Sequence, residues 1–160
     1  MTPNPPVVVD HVRRLARNAD AFFLPRPLPG EPGRFVVDAT WGTITPMEIA
    51  PGVRTVGELE VIAHLEAGLP VVDVRLEHYV AEGTLPAARS IPHTEVLDRL
   101  DELDPEVETV LFCNGPQCAA TPDAIRRLLG AGWPADKLLF YRGGIHDWVT
   151  LGLPLEPAAS

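Results

Sequence analysis

The 160-residue chain contains only two cysteines, Cys113 and Cys118. Two thiols cannot make a disulfide framework, and they point to a reducing, cytoplasmic setting. Positive charge is also scarce. Thirteen Lys and Arg against 22 Asp and Glu leave a net charge of −9. No basic footprint is therefore expected for nucleic-acid phosphates or an anionic membrane surface. No apolar run approaches a membrane-spanning length, and the start, MTPNPPVVVDHVRR, lacks a charged region followed by a long apolar one. The five histidines form no compact pair with each other or with a cysteine, so neither a metal nor any other cofactor is expected.

What the chain does have is an ordinary globular composition, 46% hydrophobic and 22% charged, with enough length for one domain. Proline is abundant at 18 residues. In FFLPRPLPGEPGRF, Pro25, Pro27, Pro29 and Pro32 remove donors and fix φ, which predicts an irregular crossing segment. Before it, Val8, Val12, Leu15, Ala16 and Ala19 recur at helical spacing, and after it RFVVDATWG predicts a strand closing in a turn. Residues 1–52 are accordingly read as an N-terminal extension packed on a main domain at 53–157.

From Thr55 the pattern becomes regular. TVGE predicts a capping box with Thr55 as N-cap and Glu58 reaching back, opening a helix that presents Leu59, Ile62 and Ala63 inward and stops at Gly68. LPVVDVR, TVLFC and KLLFY are short apolar runs that predict buried strands. HTEVLDRLDEL, PDAIRRLLGAG and IHDWVTLG predict helices, the first with Val96, Leu97 and Leu100 inward and the second with Ile125, Leu128 and Leu129. Strands alternating with helices across short loops imply an α/β domain with a central, mostly parallel sheet flanked by helices.

Both cysteines fall in one loop. TVLFC delivers Cys113 to the carboxyl end of a predicted strand, where ligands bind in such sheets. Thr121 is a suitable N-cap with Pro122 at the first helical position, so the next helix points its amino end back at the loop. Free N–H groups and the helix dipole there favour an anion, and a thiolate so placed would have a lowered pKa. The alternative is a small buried hydrophobe that ends a strand.

Four segments, in order, resemble the rhodanese (sulfurtransferase) family. VVDVR resembles its Asp-x-Arg strand, and EGTLPAARSIP its Gly-His-Ile-Pro-Gly-Ala-x-x-Ile-Pro turn. LFCNGPQC resembles the strand with the active-site cysteine, and YRGGIHDW the Gly-Gly-x-x-x-Trp signature near the C terminus. The resemblance covers about residues 55–155. It implies a rhodanese-like fold in which Cys113 is the catalytic cysteine, taking sulfane sulfur as a persulfide and passing it to a nucleophile. The donor it implies is a small sulfur-containing anion or a persulfide. The acceptor is a thiol, cyanide or a protein.

The chain departs from the family in places. Thr84 stands where the turn usually has His, and a structural role is expected for it. The common loop Cys-x-x-Gly-x-Arg-Ser is here Cys113-Asn-Gly-Pro-Gln-Cys-Ala-Ala-Thr121, about two residues longer and without its arginine, a variant of CNGPxC type. Phosphatase chemistry, which needs a loop arginine to hold a dianion, is disfavoured. The loop amides of Asn114, Gly115, Gln117, Cys118, Ala119 and Ala120 are expected to cradle the persulfide, and Arg142 to supply the missing charge from the neighbouring Gly-Gly turn. Arg89 is a weaker candidate for that charge. Asp73 and Arg75 read as a structural ion pair, and His64, His78, His93 and His146 as structural histidines.

The expected activity is sulfur transfer through Cys113. Two alternatives stay open: a non-enzymatic binding module built on the same fold, and a Cys113/Cys118 thiol–disulfide switch.

Overall fold

The computed structural model describes residues 26–27, 29–32, 35–36 and 44–159. The helix expected at Val8–Ala19 and most of the turn around Trp41 lie outside them. Of the extension, Arg26–Pro27 (β1) and Phe35–Val36 (β2) form a two-stranded antiparallel pair.

The main sheet has five strands: Arg54–Thr55 (β3), Val71–Asp73 (β4), Arg89–Ser90 (β5), Thr109–Phe112 (β6) and Leu138–Phe140 (β7). Their order across the sheet is β3-β7-β6-β4-β5, and all neighbours run parallel. The helices are Glu58–Glu66 (α1), Glu77–Val80 (α2), Ala120–Gly130 (α3) and Gly144–Thr150 (α4). The three apolar runs read as strands form the middle of the sheet, since strands buried on both faces lack polar alternation.

Side-chain parity sorts the core into two layers. Val71, Val110, Phe112, Leu139 and Tyr141 point to one face and pack with Val61 of α1 and with Ile145, Trp148 and Val149 of α4. Val72, Val74, Leu111, Cys113, Leu138 and Phe140 point to the other and meet Ala124, Ile125 and Leu128 of α3. The same alternation therefore sends the Cys113 side chain to the face that carries α3.

Three expectations are corrected. Thr55 does not cap α1: it belongs to edge strand β3, paired with Phe140, and Gly57 takes the N-cap, its N–H bonded to the Glu60 carboxylate. The helix is thereby rotated. Leu59 is exposed and Ala63 faces solvent, while Val61 and His64 are buried. HTEVLDRLDEL is not an α-helix but consecutive turns ending in a short 3₁₀ segment, Leu100–Glu102, with Val96 buried and Leu97 exposed. Leu100 packs partly buried against the same core as Val96, so two of the three expected inward positions are met without a helix. Thr121 is not the N-cap of α3 either; the cap is Ala119, and Thr121 lies buried in the first turn.

Candidate functional site

Strand β4 connects outward to β5 and strand β6 connects to β7 on the opposite side, so the order in which strands are added reverses between these two parallel neighbours. The crevice beyond their carboxyl ends is the expected ligand position in a parallel sheet. Cys113 follows β6 there, with 2% of its surface exposed.

The loop after it is tied down by its carbonyls. Ile145 N–H donates to Cys113 O (3.1 Å) and His146 N–H to Asn114 O (2.8 Å), both from the start of α4. The Thr45 N–H (2.7 Å) and hydroxyl (2.8 Å) both donate to Pro116 O. Within the loop, Cys118 N–H donates to Gly115 O (3.0 Å), which bends the chain back on itself. With these carbonyls engaged, amides of the loop are left to face the sulfurs. Gly144 makes the contact possible. Its φ is +59°, and a Cβ there would sit 2.3 Å from Cys113 O. The close approach read from the Gly-Gly turn is thus present.

The amide cradle does not stand open. Cys118 lies within it: the Cys113 thiol sits 3.7 Å from the Cys118 carbonyl oxygen, and Asn114, Ala120 and Cys113 are close enough to shift the Cys118 thiol. The hydrogen bond from Cys113 leads the causes that bring the Cys118 pKa down to about 6, burial opposes it, and the two amides and His93 add to the fall. Cys113 moves the other way. Burial pushes its thiol up, the bond with Cys118 adds to this, and the Thr121 hydroxyl and N–H only partly offset it. The pair is best described as two thiols sharing one proton, with the negative charge on Cys118. The amides of the loop and of the helix start favour both thiolates, but only at Cys118, where Cys113 also contributes, does the net shift go down.

Asn114, Gly115, Gln117, Cys118, Ala119 and Ala120 all lie on this loop or at the start of α3. The Gln117 carboxamide is buried and has no hydrogen-bond partner among the described residues. Arg142 does not reach the sulfurs by hydrogen bonding. Its Nε (3.0 Å) and Nη2 (2.8 Å) donate to Thr45 O, so it grips the segment that in turn grips Pro116. Arg89 lies elsewhere, paired with Glu102.

Asp73 and Arg75 form the expected buried ion pair at 2.6 Å, and the Thr84 hydroxyl donates to Asp73 (2.7 Å), the structural role expected of it. The pair also touches the loop, because Arg75 Nη1 lies 3.5 Å from Asn114 Oδ1. His93, read as a structural histidine, has a partner that the sequence did not name. Its Nδ1 lies 2.6 Å from Asp123 Oδ2, and its charge helps lower the Cys118 pKa. The two lie 30 residues apart, and only the tertiary fold brings them together. Among the described residues no group of three or more His, Cys, Asp or Glu is placed to hold a metal ion, and no helix is long and apolar enough to cross a membrane.

Comparison with known proteins agrees with this architecture. The sequence model of the Rhodanese-like domain family matches residues 58–151. An HTH-type transcriptional regulator of Mycobacterium tuberculosis is 36% identical over 101 residues, 62% of this chain and 43% of the regulator. A sulfurtransferase of Allochromatium vinosum is 29% identical over 85 residues, 53% of this chain and 76% of that protein. The chain thus spans less than half of the regulator and about three quarters of the sulfurtransferase. Among solved structures, a thiosulfate sulfurtransferase from Pseudomonas aeruginosa superposes with a TM-score of 0.56 at 27% identity, covering 68% of this chain and 21% of that one.

Proposed function

The chain belongs to the rhodanese-like domain family, and from that premise we propose that it is a sulfurtransferase working through a persulfide on Cys113. The observation that carries this reading is the placement of Cys113: buried at the carboxyl end of β6, at the reversal point of the sheet, facing the first turn of α3. The similarity to a sulfurtransferase and to a thiosulfate sulfurtransferase supports it.

The shared proton supplies the activation. Cys118 carries the charge and accepts the proton of the neighbouring Cys113 thiol as Cys113 attacks. The Cys113 sulfur forms a bond to the sulfane sulfur of thiosulfate or of a low-molecular-weight persulfide. The donor's S–S bond breaks, and sulfite or a thiolate leaves with the electron pair. Cyanide, a thiolate or a protein thiol then attacks the outer sulfur and returns Cys113 as leaving group. The loop amides from Asn114 to Ala120 receive the outer sulfur once Cys118 yields the cradle. Both cysteines are unpaired, as a reducing compartment such as the cytoplasm would keep them.

The test is Cys113→Ser with thiosulfate and cyanide. Thiocyanate production is expected to be lost in a folded variant, and intact-mass analysis of the donor-treated wild type is expected to show one added sulfur on the Cys113 peptide. Undiminished turnover by the folded variant overturns the assignment. A second reading, a sensing module that does not turn over, is favoured by the 36% identity to a transcriptional regulator. It predicts a modified Cys113 with no catalytic thiocyanate formation.

A further inference from the structure

Resting on the Cys113 persulfide just argued, we propose that Cys118 discharges that persulfide as hydrosulfide, making the chain a dithiol persulfide reductase as well as a transferase. Three features of the loop carry this. Cys118 is not beside the site but inside it, half-buried on the loop that Cys113 opens and close enough to the N–H groups of Asn114 and Ala120 to feel them. The Cys113 sulfur, the atom that becomes the inner sulfur of the persulfide, donates to the backbone of Cys118 itself, and the two thiols shift one another. The turn closed by Cys118 N–H to Gly115 O, with the Cys113 thiol 3.7 Å from the Cys118 carbonyl oxygen, folds the second cysteine back over the first.

The position selects the chemistry. An external acceptor approaches the exposed outer sulfur and carries it away. A thiol held against the inner sulfur attacks there instead, and the outer sulfur becomes the leaving group. After loading, Cys118 holds the proton it took from Cys113. The Cys118 sulfur bonds to the Cys113 sulfur, the S–S bond of the persulfide breaks, and the outer sulfur departs with the electron pair and that proton as hydrosulfide. The net change is one persulfide plus two cysteine thiols giving one thiol, one hydrogen sulfide and one Cys113–Cys118 disulfide. The sulfane sulfur is reduced and the two cysteines are oxidised. A dithiol reductant of low molecular weight or on a partner protein then restores the pair.

The groups around Cys118 suit this step. His93, held by Asp123, lies close enough to favour the thiolate. Burial raises the Tyr79 pKa, and the charges of Cys118 and Glu82 add to the rise, so Tyr79 also senses Cys118. The fold then permits two fates for one persulfide, chosen by whether an acceptor or Cys118 arrives first.

A single-turnover experiment separates the outcomes. The reduced wild-type chain, freed of reductant, is treated with one equivalent of glutathione persulfide, and hydrosulfide is measured together with a peptide map. About one hydrosulfide and one Cys113–Cys118 disulfide per chain are expected. Cys118→Ser and Cys118→Ala load more slowly without the Cys118 base, so they are first brought to full Cys113 persulfide by intact mass; from there they are expected to release hydrosulfide at least about tenfold more slowly than the loaded wild type. A wild type that holds its persulfide as long as these variants, with no disulfide, overturns this inference and leaves the transferase reading standing. A wild type that never forms a persulfide or disulfide at Cys113 overturns both.

Discussion

Two neighbouring strand ends answer the same structural problem in opposite ways. Beyond β4, the carboxylate of Asp73 accepts from the Arg75 backbone N–H (3.0 Å), from Arg75 Nε and Nη2, and from the Thr84 hydroxyl. Every group is buried and partnered, so the charges lock the turn. Beyond β6, one register position away, the loop instead carries two thiols with one shared proton and a buried Gln117 carboxamide that has no partner among the described residues. A satisfied network has one arrangement; an unsatisfied one can take up a ligand or exchange partners. The first end is a frame, and the second is held against it through Arg75 and Asn114.

The contrast is most sharply broken by Asp73→Asn, which leaves Arg75 buried without its counter-charge. A loss of about 3–5 kcal/mol is expected, read by urea unfolding. Gly144→Ala should act on the second end. A methyl group 2.3 Å from Cys113 O cannot be accommodated without moving the backbone that supports the cysteine. A displacement of the reacting sulfur by about 1 Å corresponds to a loss of roughly 10²-fold in transfer rate. An Asp73→Asn protein as stable as wild type, or a Gly144→Ala protein of full activity, would show that the two ends are not divided as frame and reactive loop.

The sequence discloses these two ends unequally. The apolar runs at Val71–Asp73, Thr109–Phe112 and Leu138–Phe140 announce buried parallel strands, and the Asp-Val-Arg spacing announces a local ion pair, because both are encoded within a few residues. Cys113 was legible for the same reason, as a cysteine at a strand end before a helix. The start of α1 was misread because Thr55 is claimed by pairing with Phe140, a long-range contact that overrides a local capping signal. The seat of Cys118, the His93–Asp123 pair and the grip of Arg142 on Thr45 depend on how distant segments meet. No local pattern records them.

A smaller effect sharpens the assignment of charge within the reactive end. A thiol is nucleophilic only when ionised, so reactivity rises with pH through its pKa. With Cys118 down to about 6, alkylation by iodoacetamide is expected to rise through pH 6 and level off near 7, rather than climb toward 9. Cys113, Tyr79 and His93 are the titratable groups that face it. The net gain at pH 7 over an ordinary cysteine is only about fourfold, because a thiolate of lower pKa is intrinsically less nucleophilic. Peptide mapping identifies which cysteine reacts. Dominant labelling of Cys113 with a half-point near 9 would place the charge on the wrong sulfur.

The smallest expected effect concerns the charge that the loop itself lacks. No cation lies between Cys113 and Thr121, and the nearest help from the Gly-Gly turn, Arg142, is committed to Thr45 O. Its influence on an anionic donor is therefore indirect: it holds Thr45, and Thr45 holds Pro116 O through both its N–H and its hydroxyl. Amides and a helix end alone contribute about 0.3–1 kcal/mol to an exposed anion, more when it is partly buried, so thiosulfate should bind weakly and lose affinity with added salt. Arg142→Ala is expected to raise the thiosulfate KM about fivefold, the equivalent of roughly 1 kcal/mol, while kcat changes less than about twofold. Arg142→Lys separates the two contributions. Lysine keeps the charge but not the paired donation to one carbonyl. If Lys restores the wild-type KM, the charge acts through space. If it behaves like Ala, the grip on Thr45 is what matters, and a less charged persulfide donor should show the same loss as thiosulfate. A KM indifferent to both substitutions and to salt would mean that the reactive end binds its donor without help from the segment clasped over it.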